Sequence, residues 1–161
     1  MTKKMAAVSF ALGLSALVLV AAAQSKSKAR EVPRDILGIR IGMRFEDAHK
    51  RLEKIGRLER EERKRQEVWT VNKDPRFSHL LVGFDKDGSV RYVTVLARQG
   101  KGVRYNDLFD SGKAKVTSAV NNYHYTLEVS GRKGQPDYLV MAQGSDPTFL
   151  SSFSLKKKTD Q

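Results

Sequence analysis

No cysteine occurs anywhere in the 161 residues. That absence excludes disulfide stapling, so stability must come from core packing and hydrogen bonds. It also excludes a lipid-carrying cysteine, because the residue after the first apolar segment is Gln24. Beyond that segment no run of apolar residues is longer than a handful, and nothing later in the chain is expected to span a bilayer. Neither a GxSxG elbow nor a phosphate-cradling glycine loop is present, Gly100-Lys101-Gly102 being too short for one. Acidic residues are scarce: 18 Asp and Glu against 30 Lys and Arg leave a formal charge of +12.

The three histidines, His49, His79 and His124, lie far apart in sequence. None has a second His, Cys or paired carboxylate at metal-ligand spacing, so each reads as a half-buried packing residue. No cofactor or metal is expected, and the chain does not read as an enzyme; a small hydrolase is the remaining alternative and would require distant residues to converge.

What is present begins at the N-terminus. Lys3 and Lys4 precede the uncharged stretch Met5 to Ala23, which ends on Ala21-Ala22-Ala23. Charge, apolar core and small-residue end are the order of a secretory signal peptide, with cleavage expected between Ala23 and Gln24. The competing reading is a retained membrane anchor, since 19 uncharged residues approach the ~20 that cross a bilayer. Cleavage would leave 138 residues with a charge of +10, enough for one domain. So basic a chain is attracted to anionic polymers, lipid headgroups or acidic protein faces. The sequence from Gln24 to residue 35 reads as a flexible basic lead.

From Phe45 the apolar residues Phe45, Ala48, Leu52 and Ile55 recur at helical spacing, with charged residues opposite. Glu46 and Asp47 suit a helix start, Lys54 a helix end and Gly56 a stop, which predicts a helix over 44–55. The run Arg57 to Glu67 holds five basic and four acidic residues and one apolar one, Leu58. Without an apolar stripe it is expected to be a solvated helix end or an exposed loop. Three strands are expected at 68–71, around Leu80 to Phe84, and over 90–96. Asp85-Lys86-Asp87-Gly88 supplies a hairpin turn between the last two, and it is not a calcium loop, because Leu96 stands where that loop needs a carboxylate.

The stretch 98–102 reads as a linker, and the second half, 103–155, loosely repeats the first. Helical turns are expected within Val103 to Asp110 and Ala114 to Asn121. Strands follow at 123–129, 138–142 and 149–155, and a basic tail over 156–161. The fold class expected is α+β, with helices packed on an antiparallel sheet as a tandem pseudo-duplication of a helix plus a three-stranded meander.

Gly38-Ile39-Arg40-Ile41-Gly42-Met43 before the helix, Trp69 at the first strand, and Leu80-Leu81-Val82-Gly83-Phe84 running into the Asp85–Gly88 turn and Val90 resemble SmpA/OmlA (BamE-like) domains. The match covers about residues 36–97. The architecture is related to the β-lactamase inhibitory protein, which carries two such modules. The resemblance implies a non-catalytic envelope domain that binds other proteins. Trp69 is the candidate contact anchor, with Arg60, Arg63 and Arg65 of the charged run beside it. The expected partner is a protein or envelope component, with anionic polymer or lipid as the alternative. Basic and aromatic residues interleave at Arg91-Tyr92, Arg104-Tyr105 and Tyr123-His124-Tyr125, but β propensity explains them and export argues against nucleic acid.

Overall fold

The computed structural model describes residues 31–62 and 65–159. The expected cleavage site at Ala23 and Gln24, most of the stretch read as a basic lead, Arg63 and the last two residues of the tail lie outside the described residues.

Helix α1 (Phe45–Ile55) forms where the apolar spacing places it, with Glu46 and Asp47 in its first turn and Lys54 in its last. Ala48 and Leu52 are fully buried beneath it. Gly56 ends the helix in extended backbone and donates its N–H to the Leu52 carbonyl. A Cβ there would lie 2.1 Å from the Thr70 oxygen, so only glycine lets the chain pass at once into a strand against its neighbour.

Eight strands follow: β1 (Gly56–Glu62), β2 (Gln66–Val71), β3 (Phe77–Phe84), β4 (Val90–Ala97), β5 (Lys115–Ala119), β6 (Asn122–Val129), β7 (Tyr138–Gly144) and β8 (Ser152–Lys157). They make one antiparallel sheet in the order β1-β2-β3-β4-β8-β7-β6-β5. Each half is a four-stranded meander, and the two join through their last strands, β4 and β8. The β3–β4 hairpin closes as the sequence suggests, with Asp85 N–H bonded to the Ser89 oxygen and Gly88 at positive φ.

The expected fold class is overturned. The described residues form mainly an eight-stranded sheet with one short α-helix, not a set of helices packed on a sheet. Four expectations fail locally. The charged run 57–67 supplies β1 and the start of β2, because an edge strand tolerates charge on both sides and needs no apolar stripe. The segment 114–121 supplies β5, its Val-Thr-Ser stretch pairing with β6 rather than coiling. The segment 103–110 forms only a 3₁₀ turn at Tyr105–Asp107, followed by another at Ser111–Lys113. Lys156 and Lys157, read as tail, complete β8.

The core lies on one face of the sheet. Cross-strand pairing aligns Val82, Val93, Leu155 and Val140 in one row, and Leu80, Val95, Phe153 and Ala142 in the next. All eight are buried. At about 1.5–3 kcal/mol for each fully buried large side chain, these rows dominate the stabilising terms. In the first half α1 and the residues Ile36, Ile39, Ile41 and Met43 cover them. In the second half Tyr105 and Phe109 do so, Phe109 stacking on Phe153 with ring centroids 5.8 Å apart.

Candidate functional site: the open face of the sheet

The same pairing that buries one set of side chains sends the alternate set to the other face. Val68, Leu81, Thr94, Ser154, Met141 and Thr126 form its central row, running from β2 to β6. A second row holds Gln66, Gly83, Tyr92, Lys156 and Leu139. A third holds Thr70, His79, Leu96, Ser152, Gln143 and His124. None of the apolar members of these rows belongs to the core cluster, and among the described residues no helix or strand lies over them. Val68 is buried among its neighbours on this face, Leu81, Tyr92, Leu139 and Met141 are half-buried, and Leu96 is exposed.

Small side chains flatten the centre of this face. Gly83 lets the Tyr92 ring lie directly on the backbone, since a Cβ there would sit 2.1 Å from the ring. The Tyr92 hydroxyl donates to Gln66, and Gln66 donates in turn to Glu62. Burial raises the Tyr92 pKa, so the phenol stays a neutral donor. The Thr94 and Ser154 hydroxyls bond to each other across β4 and β8 at 2.8 Å. The face thus presents aliphatic patches on both flanks of a hydroxyl-lined centre, a composition suited to a flat protein surface.

Charges on this face are mixed and largely paired. Glu59 accepts from Thr70 at 3.3 Å and lies 3.2 Å from His79 Nε2. Arg60 is held between Glu62 at 2.7 Å and Glu59 at 3.0 Å, the Glu62 bond raising its pKa first. Arg60 is therefore in place at the margin of the face, while Arg65 sits exposed in the β1–β2 turn. Arg63 lies outside the described residues.

Trp69 is elsewhere. It is 4% exposed, on the core side of β2, and its indole N–H donates to Glu67 at 2.8 Å. The other oxygen of Glu67 bonds His49 Nε2 at 2.7 Å, and the His49 and Trp69 rings meet edge to face at 5.5 Å. This His–Glu–Trp cluster satisfies a buried carboxylate beneath α1, and its burial removes Trp69 from any surface a partner reaches. Among the described residues no three His, Cys, Asp or Glu side chains are grouped to hold a metal.

A second concavity lies on the helix side. A groove of about 680 Å³ runs between α1 and the 37–44 segment, lined by Arg40, Arg44, Lys50, Arg51, Lys54 and one acid, Asp47. Arg44 has Glu46 at 3.8 Å. Among the described residues Arg40, Lys50, Arg51 and Lys54 have no ion-pair partner. The wall is shaped by a tight turn at Leu37 and Gly38, both at positive φ, closed by paired hydrogen bonds between Ile36 and Ile39. Gly38 has no side chain, so the Arg51 guanidinium packs on it.

Sequence reasoning singled out Trp69 and the charged run and passed over the open-face residues. Their signal was there: in Val90–Leu96 both alternating sets, Val93 and Val95 and then Tyr92, Thr94 and Leu96, are β-formers. A strand apolar on one side only would have carried charge at the second set. The chain matches no known protein family, and neither a curated protein nor a solved structure matches it.

Proposed function

We propose that this is an exported, non-enzymatic protein of the cell envelope that binds a protein partner on the open face of its sheet. One observation carries the reading: on the face turned away from the core, Leu81, Tyr92, Leu139 and Met141 lie outside the core cluster and stay partly exposed to solvent. Uncovered apolar surface rimmed by polar groups marks interaction sites. Further support comes from the resemblance of residues 36–97 to SmpA/OmlA domains, which implies protein contacts, and from the signal-like sequence of residues 1–23.

The test immobilises the chain as purified from its own host and exposes it to envelope proteins. Leu139→Glu and Met141→Glu, which place charge in the face, are expected to abolish capture of a discrete protein while the unfolding midpoint changes little. Capture should survive a rise from about 0.1 M to 0.5 M salt, because buried apolar contacts are not screened. Unaltered capture by both variants would remove the open face from the function. Mass spectrometry of the same material is expected to begin at Gln24, and an intact Met1 in a membrane fraction would establish an anchor instead.

The basic groove beside α1 favours a second reading, in which it holds an anionic polymer or lipid headgroup. Three arginines line it, the side chains best suited to bidentate phosphate contacts. Binding of vesicles containing anionic lipid that disappears at moderate salt and with Arg51→Gln would support it.

A further inference from the structure

The two edges of the sheet are built differently. β1 is guarded: five of its seven residues are charged, its pairing with β2 shifts register between Leu58 and Arg60, and Arg60 is clamped by Glu59 and Glu62. Charges and bulges of this kind keep other strands away. β5 carries neither device. All five of its residues are exposed, its pairing with β6 is regular from end to end, and its single charge, Lys115, stands at the first position. Val116 is 49% exposed and Val120, in the following turn, 93%. A regular edge with no charge beyond its first residue, and with an unpaired row of N–H and C=O groups, is a template for another strand.

We propose that the strand it takes is β5 of a second copy, paired antiparallel about a two-fold axis at Thr117. In register, β5 meets its own copy without a like-charge clash only in that direction. Antiparallel pairing sets Lys115 opposite Ala119 of the second copy, Val116 opposite Ser118 and Thr117 opposite Thr117. Parallel in-register pairing would stack lysine on lysine, and like charges directly opposite are destabilising. Thr117 shares the open face with His124, so the dimer doubles the eight-stranded sheet and brings both open faces to the same side. One strand pair of this length buries less than the ~1,200 Å² typical of stable interfaces, so association depends on concentration. Both copies are strongly basic, so higher ionic strength should strengthen the dimer, the opposite of anion binding in the groove.

The test is sedimentation equilibrium of the chain purified from its host, across dilution. Thr117→Lys and Thr117→Glu each place like charges opposite one another and are expected to weaken association by about tenfold. An equimolar mixture of the two variants is expected to regain it as a mixed dimer. Should either variant unfold, hydrogen exchange of the unaltered chain decides: β5 amides pointing away from β6 are protected at high concentration and lose that protection on dilution. A monomer up to about 1 mM, near the weakest affinity such measurements reach, overturns the proposal. So does a dimer indifferent to both variants, and so does protection of β5 that arises only when an envelope protein is added.

Discussion

The two halves of the sheet share a strand plan but not a cover. Over β2 and β3 sits α1, which together with the 36–43 segment buries Trp69, Val71, Leu80 and Val82. Over β6 and β7 lie two 3₁₀ turns, and here Tyr125, Leu127 and Val129 stay half-buried. A helix delivers several modest side chains along its length, in this case Ala48 and Leu52. Short turns deliver few, so they must be large: Tyr105 and Phe109 are both buried, and Tyr105 and Tyr125 meet with ring centroids 4.2 Å apart. The second half replaces many small contacts with two aromatic ones.

That contrast can be broken by truncation. Phe109→Ala should destabilise by about 3–5 kcal/mol and Leu52→Ala by about 2–5, both read from chemical denaturation. The comparison is sharpened if Phe109→Ala also lowers the slope of the transition, the sign that the second half has loosened before the first unfolds. It breaks if Phe109→Ala is no worse than an exposed substitution such as Lys50→Ala, expected well under 1 kcal/mol.

A smaller effect belongs to the first half alone. Glu67→Ala strands the Trp69 indole N–H and one His49 nitrogen under the helix, which should cost about 1–3 kcal/mol. Glu67→Gln, which keeps an acceptor, should recover part of it. Fluorescence of the single tryptophan follows both variants directly.

The smallest effect is a pH limb in the second half. Burial, then the neighbouring Tyr125 and Asp146, push the Tyr105 phenol up to about 12. An unfolded tyrosine titrates near 10, so the fold favours the neutral form. Its contribution is complete below about pH 10 and is lost as pH rises through about 12. Tyr105→Phe should lose the hydrogen bond to the Asp146 carbonyl, about 1 kcal/mol at neutral pH, yet fall less steeply in alkali. Tyr92 and Tyr138, also raised by burial, leave a residual limb.

Much of this fold is legible in the sequence where one pattern dominates. Helix α1 is, because Phe45, Ala48, Leu52 and Ile55 hold a single period with charges opposite. The β3–β4 hairpin is, because Asp85 to Gly88 can hardly do anything but turn. Legibility fails where stability comes from a neighbour rather than from local pattern. β1 has no apolar face and exists as a strand only because β2 offers it a ladder. β5 is short, and only its pairing with β6 decides between strand and turn. The open face was hidden for a related reason: Tyr92, Leu139 and Met141 look like core residues until register shows which way each points.

The place of β8 has a consequence for how the molecule comes into being. β8 follows β7 in the chain, yet it is a central strand, flanked by β4 and β7. Hairpins within each half can close as soon as their residues emerge, since their partners are close in sequence. The seam between the halves cannot. Until Ser152 to Lys157 arrive, β4 and β7 both present bare ladders to whatever is near, and the pairing of β4 with β8 closes a loop from Leu96 to Ser152. Pairings so far apart in sequence cost more loop entropy than the hairpins do, so the seam is expected to be the last part of the sheet to close.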